Sequence, residues 1–170
     1  GADRIITQSG DKRLIGGDGA DTIQAGVDAQ GAPLGSISNH VVIGDNGEVS
    51  YVLSTPDGQS RALRYESTDT VSATGGDDRI TLGDGNNVVL GGMGSDEITT
   101  GTGVDTIFGD NGYVQMDREG RHFAMLGSKS QSTTTGTLNL ITDLGGADRI
   151  ITQSGDKRLI GGDGADTIQA

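Results

Sequence analysis

The chain has 170 residues, of which 31 are Gly and only five are aromatic, with 32% apolar content and a net charge of −12. That content is too poor in bulk for one large globular core, and the charge argues against a nucleic acid or an anionic membrane as partner and for hard cations held by oxygen. Cys is absent, which excludes a disulfide framework, and no apolar run is long enough to span a bilayer.

The first 25 residues, GADRIITQSGDKRLIGGDGADTIQA, recur unchanged at Gly146–Ala170, an offset of 145 residues. They contain two nine-residue units, Thr7–Ile15 (TQSGDKRLI) and Gly16–Gln24 (GGDGADTIQ). An insertion follows at 25–34 (AGVDAQGAPL), then a weaker unit, Gly35–Ile43 (GSISNHVVI), and the tetrapeptide GDNG at 44–47. Glu48–Glu66 carries a hairpin pattern. Val49, Tyr51 and Leu53 alternate with polar residues up to a Pro-Asp-Gly turn, and Leu63 and Tyr65 continue the alternation on the return.

From Ala73 four nonads run without a break to Phe108: ATGGDDRIT, LGDGNNVVL, GGMGSDEIT and TGTGVDTIF. A second GDNG (109–112) leads into a second hairpin pattern at Tyr113–Leu126. There Val114 and Met116 precede an Arg-Glu-Gly turn, and Phe123 and Met125 follow it. A Ser/Thr-rich loop (Ser128–Thr137) separates it from the nonad at 143–151 (DLGGADRII), where the copied segment begins. One 145-residue period thus holds eight nonads. The fourth residue is usually Gly and the sixth usually Asp, and every eighth residue is Ile, Leu or Val. A flexible Gly/Asp linker would not keep an aliphatic residue at each ninth position.

This frame resembles the GGxGxDxUx repeat of the RTX, or hemolysin-type, calcium-binding family, and Gly16–Gln24 and Gly91–Thr99 fit it at every position. The resemblance implies an all-β protein: a parallel β-roll in which each nonad is a tight turn and a short strand, and alternate nonads stack. It implies several Ca²⁺ ions per period, bound by turn carbonyls and sixth-position carboxylates. The candidate ligands are Asp3, Gly16, Asp18, Asp21, Asp45, Gly76, Asp78, Asp84, Asn87, Gly91, Gly94, Asp96, Gly103, Asp105, Asp110, Asp148, Gly161, Asp163 and Asp166. The core is one aliphatic side chain per strand, too thin to offset chain entropy alone, so ion binding and folding should be coupled.

Five segments result: a roll at 1–47, a hairpin at 48–72, a roll at 73–112, a hairpin with its loop at 113–142, and a roll at 143–170. Positions seven and nine of a nonad face outward. On the sheet that ends at GDNG they are mostly apolar (Val41/Ile43, Val88/Leu90, Thr106/Phe108, Arg158/Ile160), so the hairpins, or as the alternative a neighbouring subunit, should cover that face. Lys12 and Lys157 replace Asp at position six, and an ammonium there could stand in the cation's place. His40 and His122 lack any catalytic context, and no catalytic motif is present, so no enzyme activity is expected.

The exact copy reads as part of a longer tandem array, with neighbouring repeats and calcium as partners and lateral self-association left open. Such arrays resemble the extender regions of giant secreted bacterial surface proteins: adhesins, surface layers and filaments. The alternative is the C-terminal secretion and folding module of an RTX enzyme or toxin. Either places the chain outside the cell, and neither involves nucleic acid or membrane insertion.

Overall fold

A computed structural model describes residues 1–52, 58, 60–71, 73–117, 123–128, 131–134, 137–140 and 145–170, of which 52, 123–128, 131–134 and 137–140 are described as backbone. Leu53, most of the Pro-Asp-Gly turn, the Arg-Glu-Gly turn and His122 lie outside these residues.

Every element is a strand, as the short apolar stretches between glycine turns require. The roll begins with β1 (Arg4–Thr7), β2 (Lys12–Ile15), β3 (Thr22–Ala25) and β4 (His40–Ile43). The first hairpin is β5 (Gly47–Val52) and β6 (Arg61–Ser67). The roll resumes with β7 (Arg79–Leu82), β8 (Val88–Gly92), β9 (Glu97–Thr99) and β10 (Asp105–Asp110). A second hairpin, β11 (Gly112–Met116) and β12 (Phe123–Ser128), is followed by a ribbon, β13 (Gln131–Thr134) and β14 (Thr137–Leu140). The roll ends in β15 (Arg149–Ile151), β16 (Lys157–Ile160) and β17 (Thr167–Gln169). The Ser/Thr-rich stretch, expected as a loop, is therefore mostly an antiparallel ribbon. Its Thr and Ser suit a two-stranded pairing.

Successive strands go to opposite sheets. One sheet has the order β1-β3-β7-β9-β15-β17 and the other β16-β10-β8-β4-β2, all parallel and without stagger. This is a parallel β-roll. Eighth-position residues meet between the sheets: Ile23, Val42, Ile80, Val89, Ile98, Ile107 and Ile150 form the buried cluster, with Ile5, Leu14 and Leu159 packed against it.

The two hairpins join into a third sheet, β12-β11-β6-β5, wholly antiparallel. It lies over the apolar outer face, where Tyr65 and Val114 pack with Ile43, Val88, Leu90 and Phe108. The opposite outer face is polar, with Arg79 and Arg149 flanking Glu97. The expected strand alternation fails once in each hairpin. Between β11 and β12, Gln115 pairs with Met125 and Met116 with Phe123, so Ala124 forms a bulge. Between β5 and β6, Tyr51 pairs with Ala62 and Ser50 with Arg64, so Leu63 forms a bulge. The Leu63 bulge rephases the strand, burying Ala62 and leaving Leu63 partly exposed and Tyr51 48% exposed.

The hairpins are spliced inside nonads. Gly44 and Asp45 stack as the first two residues of a turn whose later positions, Gly75 to Asp78, come after the hairpin. Gly44 N–H bonds Leu90 O and Asp45 N–H bonds Gly91 O. Gly109 and Asp110 relate to Gly145–Asp148 in the same way. Ala73 and Thr74, expected at positions one and two, are displaced. The Thr74 hydroxyl instead donates to Asp69 Oδ1 at 2.6 Å, outside the roll.

Candidate metal centre

Turns at one edge of the roll carry chain from β2, β4, β8, β10 and β16 to the sheet of β1. Their sixth positions form a column of aspartates: Asp3, Asp21, Asp78, Asp96, Asp148 and Asp166. Each carboxylate except that of Asp3 accepts the backbone N–H of the aspartate one coil away. Asp3 N–H bonds Asp21 Oδ1 at 2.7 Å, Asp21 bonds Asp78 and Asp78 bonds Asp96 at 2.8 Å, Asp96 bonds Asp148 at 2.9 Å, and Asp148 bonds Asp166 at 3.0 Å. One oxygen of each accepting carboxylate is thereby fixed, which aims the other.

The second oxygen, Oδ2 of Asp21, Asp78, Asp96 and Asp148, is buried without a hydrogen-bond partner. It lies against the glycine at position one. A Cβ on Gly44 would strike both Asp78 Oδ2 and the carbonyl of Gly91, and one on Gly91 would strike Asp96 Oδ2 and the carbonyl of Gly109. Gly16 and Gly109 stand in the same relation to Asp21 with Gly44 and to Asp148 with Gly161. A second column of glycines at position four, including Gly76, Gly94, Gly146 and Gly164, stacks carbonyl on Cα alongside. Positive φ at Gly94 (99°) and Gly164 (107°) excludes other residues from the turn.

An unpaired buried carboxylate is costly. Burial, then repulsion from Asp78, Asp148 and Asp45, pushes Asp96 up to about 10. Burial likewise raises Asp78 and Asp148 to about 7, and raises Asp21. No three acidic or histidine side chains converge among the described residues. The donors in each gap are instead carboxylate oxygens from the column and glycine carbonyls. That set suits a hard divalent cation with oxygen ligands, and it fits Ca²⁺. A cation held there would compensate the buried carboxylate charge.

Asp45 and Asp110, at position two, hold the splices closed. Asp45 Oδ1 accepts Gly76 N–H at 3.1 Å across the break, and its Oδ2 accepts Met93 N–H from the next coil. Asp110 accepts Gly146 N–H at 3.2 Å and Asp163 N–H. Burial raises them to about 8 and about 6. Asp18 and Asp163 lie exposed on the rim of their turns, with Asp18 accepting from Asn46. Gly44 and Gly109, whose carbonyls border the same gaps, were not among the sequence candidates. Their place before Asp45 and Asp110, at position one, was the available signal.

The opposite edge differs. Its sixth-position column is Lys12, His40, Asn87, Asp105 and Lys157, and the side chains of Asn87, Asp105 and Lys157 bond one another, while both His40 ring nitrogens are buried without a partner. Asp105 Oδ1 accepts both the backbone N–H and the side-chain N–H of Asn87 at 3.0 Å. Asp105 Oδ2 accepts the Thr100 hydroxyl at 2.7 Å and the Lys157 ammonium at 2.7 Å. Lys157 Nζ also donates to Gly103 O at 2.9 Å, with a side chain only 7% exposed. The ammonium thus meets a carboxylate and turn carbonyls, the donor types of the first edge. Lys12 donates instead to its own Ser9 and Gly10 carbonyls at 2.8 and 2.9 Å.

Four expected ligands, Asp84, Asn87, Gly103 and Asp105, therefore sit where hydrogen bonds already engage them. Asp84 Oδ1 accepts the N–H and hydroxyl of Thr102 at 2.8 and 2.9 Å. His40 is fully buried, and burial pushes its pKa down.

A family model, the RTX calcium-binding nonapeptide repeat, matches four times, at residues 1–29, 65–98, 83–113 and 135–170, together more than half of the chain. The chain belongs to the RTX calcium-binding repeat family. No curated protein and no solved structure matches it.

Proposed function

We propose that this chain is a structural, calcium-stabilised repeat: an extender segment of a secreted bacterial surface protein, without catalytic activity of its own. RTX proteins are calcium-binding and generally secreted. The observation that carries the reading is the aspartate–glycine column. It runs unbroken past two spliced hairpins and ends in the same 25 residues with which it starts, so further coils can be added without a change of structure. A device of that kind yields length and stiffness under the control of calcium. Circular dichroism of the chain with millimolar Ca²⁺ and in excess chelator tests it. Calcium should convert a largely disordered chain to β-structure, and a β spectrum unchanged by chelator would overturn the reading.

A further inference from the structure

Identical residues sit in different surroundings at the two ends of the roll. Ile160 packs against the cluster of Phe108 and Val114 under the hairpin sheet, whereas Ile15, the same residue of the copied segment, is 40% exposed. Ile15 lines a cavity of about 210 Å³ with Leu14, Val41, Ile43, Val49 and Tyr51, at the open edge of β5. Whatever covers Ile160 is missing over Ile15.

Superposing Gly1–Ala25 of a second period on Gly146–Ala170 of the first supplies it. From β2 to its copy β16 the roll advances four strand positions (β2-β4-β8-β10-β16). The hairpin sheet also has four strands per period, β5-β6-β11-β12. At 4.7–4.9 Å per strand both advance about 19 Å, so the third sheet keeps step with the roll. Direction agrees as well. Each neighbouring pair in that sheet is antiparallel, so a following β5 would run antiparallel to β12. Among the described residues both are edge strands, and the outer row of backbone groups of such a strand is open to pairing.

We infer that β12 of one period pairs with β5 of the next, making the hairpin sheet a third continuous ladder along the array. The inference rests on the tandem-repeat reading. Register follows, because the rows run straight across the sheet. Val49, Tyr65, Val114 and Leu126 form one row, and Ser50, Arg64, Gln115 and Met125 another. Leu126 therefore faces the next period's Val49, and Met125 its Ser50. The cavity is the seat of this junction.

The chain has no Cys, so a disulfide reads the junction directly. The sample is a two-period chain, residues 1–145 followed by 1–170, with Met125→Cys in the first period and Ser50→Cys in the second. Facing antiparallel residues have Cα atoms about 4.5–5.5 Å apart, within disulfide reach. The control carries the same substitutions with the periods exchanged. Under mild oxidation with calcium, an intramolecular link should form in the first arrangement and not in the control. Gly127→Cys with Glu48→Cys, one row over, serves as a second pair should the first disturb folding. Equal linking in both arrangements, linking only between chains, or none from either pair with the calcium-dependent β spectrum retained would overturn the pairing and leave the proposed function standing. Loss of calcium dependence in the unsubstituted two-period chain would instead sink the proposed function.

Discussion

The two edges of the roll are built from the same nine-residue frame and solve the same problem in different ways. Turns stacked at 4.7–4.9 Å bring carbonyl oxygens and sixth-position side chains into register, and that concentration of oxygen needs a positive charge or hydrogen-bond donors. One edge has six aspartates in line and leaves four carboxylate oxygens without a partner. The other has Lys, His, Asn, Asp and Lys, and around Asp105 its donors and acceptors close on themselves. Position one separates them too. On the aspartate edge it is always glycine (Gly16, Gly44, Gly91, Gly109, Gly161), whereas the other edge has Thr7, Gly35, Leu82, Thr100 and Thr152. A side chain at position one occupies the space beside the carboxylate. The same coil thus carries one edge with unpartnered carboxylates and one whose charges are matched internally, and calcium is expected to act at the first.

The largest expected difference comes from removing one aspartate on each edge. Asp96 lies between Asp78 and Asp148 and borders two gaps. Asp96→Ala should remove or weaken two calcium sites in an isothermal titration. Asp105→Ala should remove none, since the ammonium of Lys157 already holds its carboxylate. It should still destabilise the calcium-saturated protein, by about 3–5 kcal/mol, because it strands a buried cation. Loss of a calcium site with Asp105→Ala would show that the second edge also binds metal.

The aspartate edge should also respond to acid. Without a cation Asp96 is raised to about 10 and Asp78 and Asp148 to about 7, against about 3.9 in an unfolded chain. Between those values the folded chain holds more protons than the unfolded one, so cation-free stability falls as pH rises from about 4 towards 7 and above. Lowering the pH of the calcium-free protein from 8 to 5 should therefore increase its β signal. With saturating calcium the sign reverses, because protons compete with the ion for the same oxygens. A calcium-free spectrum that does not change over this range would mean that the carboxylates are not buried as described.

The roll, its eighth-position core and the covered outer face were legible in the sequence because each depends on a strict period. Ile23, Val42, Ile80 and Val89 meet because nine residues make one turn and one strand. Three things were not legible. The splice moves positions one and two to the far side of a hairpin, so Ala73 and Thr74 counted correctly along the chain yet belong to a local turn outside the roll. The Leu63 bulge shifts an alternation that looked regular. Asp105 fits the ligand pattern, and only the coil that stacks upon it, contributed by Lys157 across the second hairpin, shows that its charge is already matched.

The smallest effect is a gain, and it asks whether the difference between the edges is written in two positions. If glycine at position one and aspartate at position six suffice, the internally charged edge can be turned into an ion-binding one. Thr100 and Lys157 are the two groups on Asp105 Oδ2. Thr100→Gly would clear the space beside that oxygen, as Gly91 does beside Asp96. Lys157→Asp would withdraw the ammonium and place a second carboxylate in the column, as Asp148 does above Asp96. Together they should add one calcium ion to the stoichiometry found by isothermal titration. Lys157→Asp alone should add none, because the threonine hydroxyl still holds Oδ2 and its side chain still fills the gap. It should only destabilise the edge by setting two carboxylates against each other. A full extra site from Lys157→Asp alone would mean that charge, and not the glycine at position one, decides which edge binds calcium.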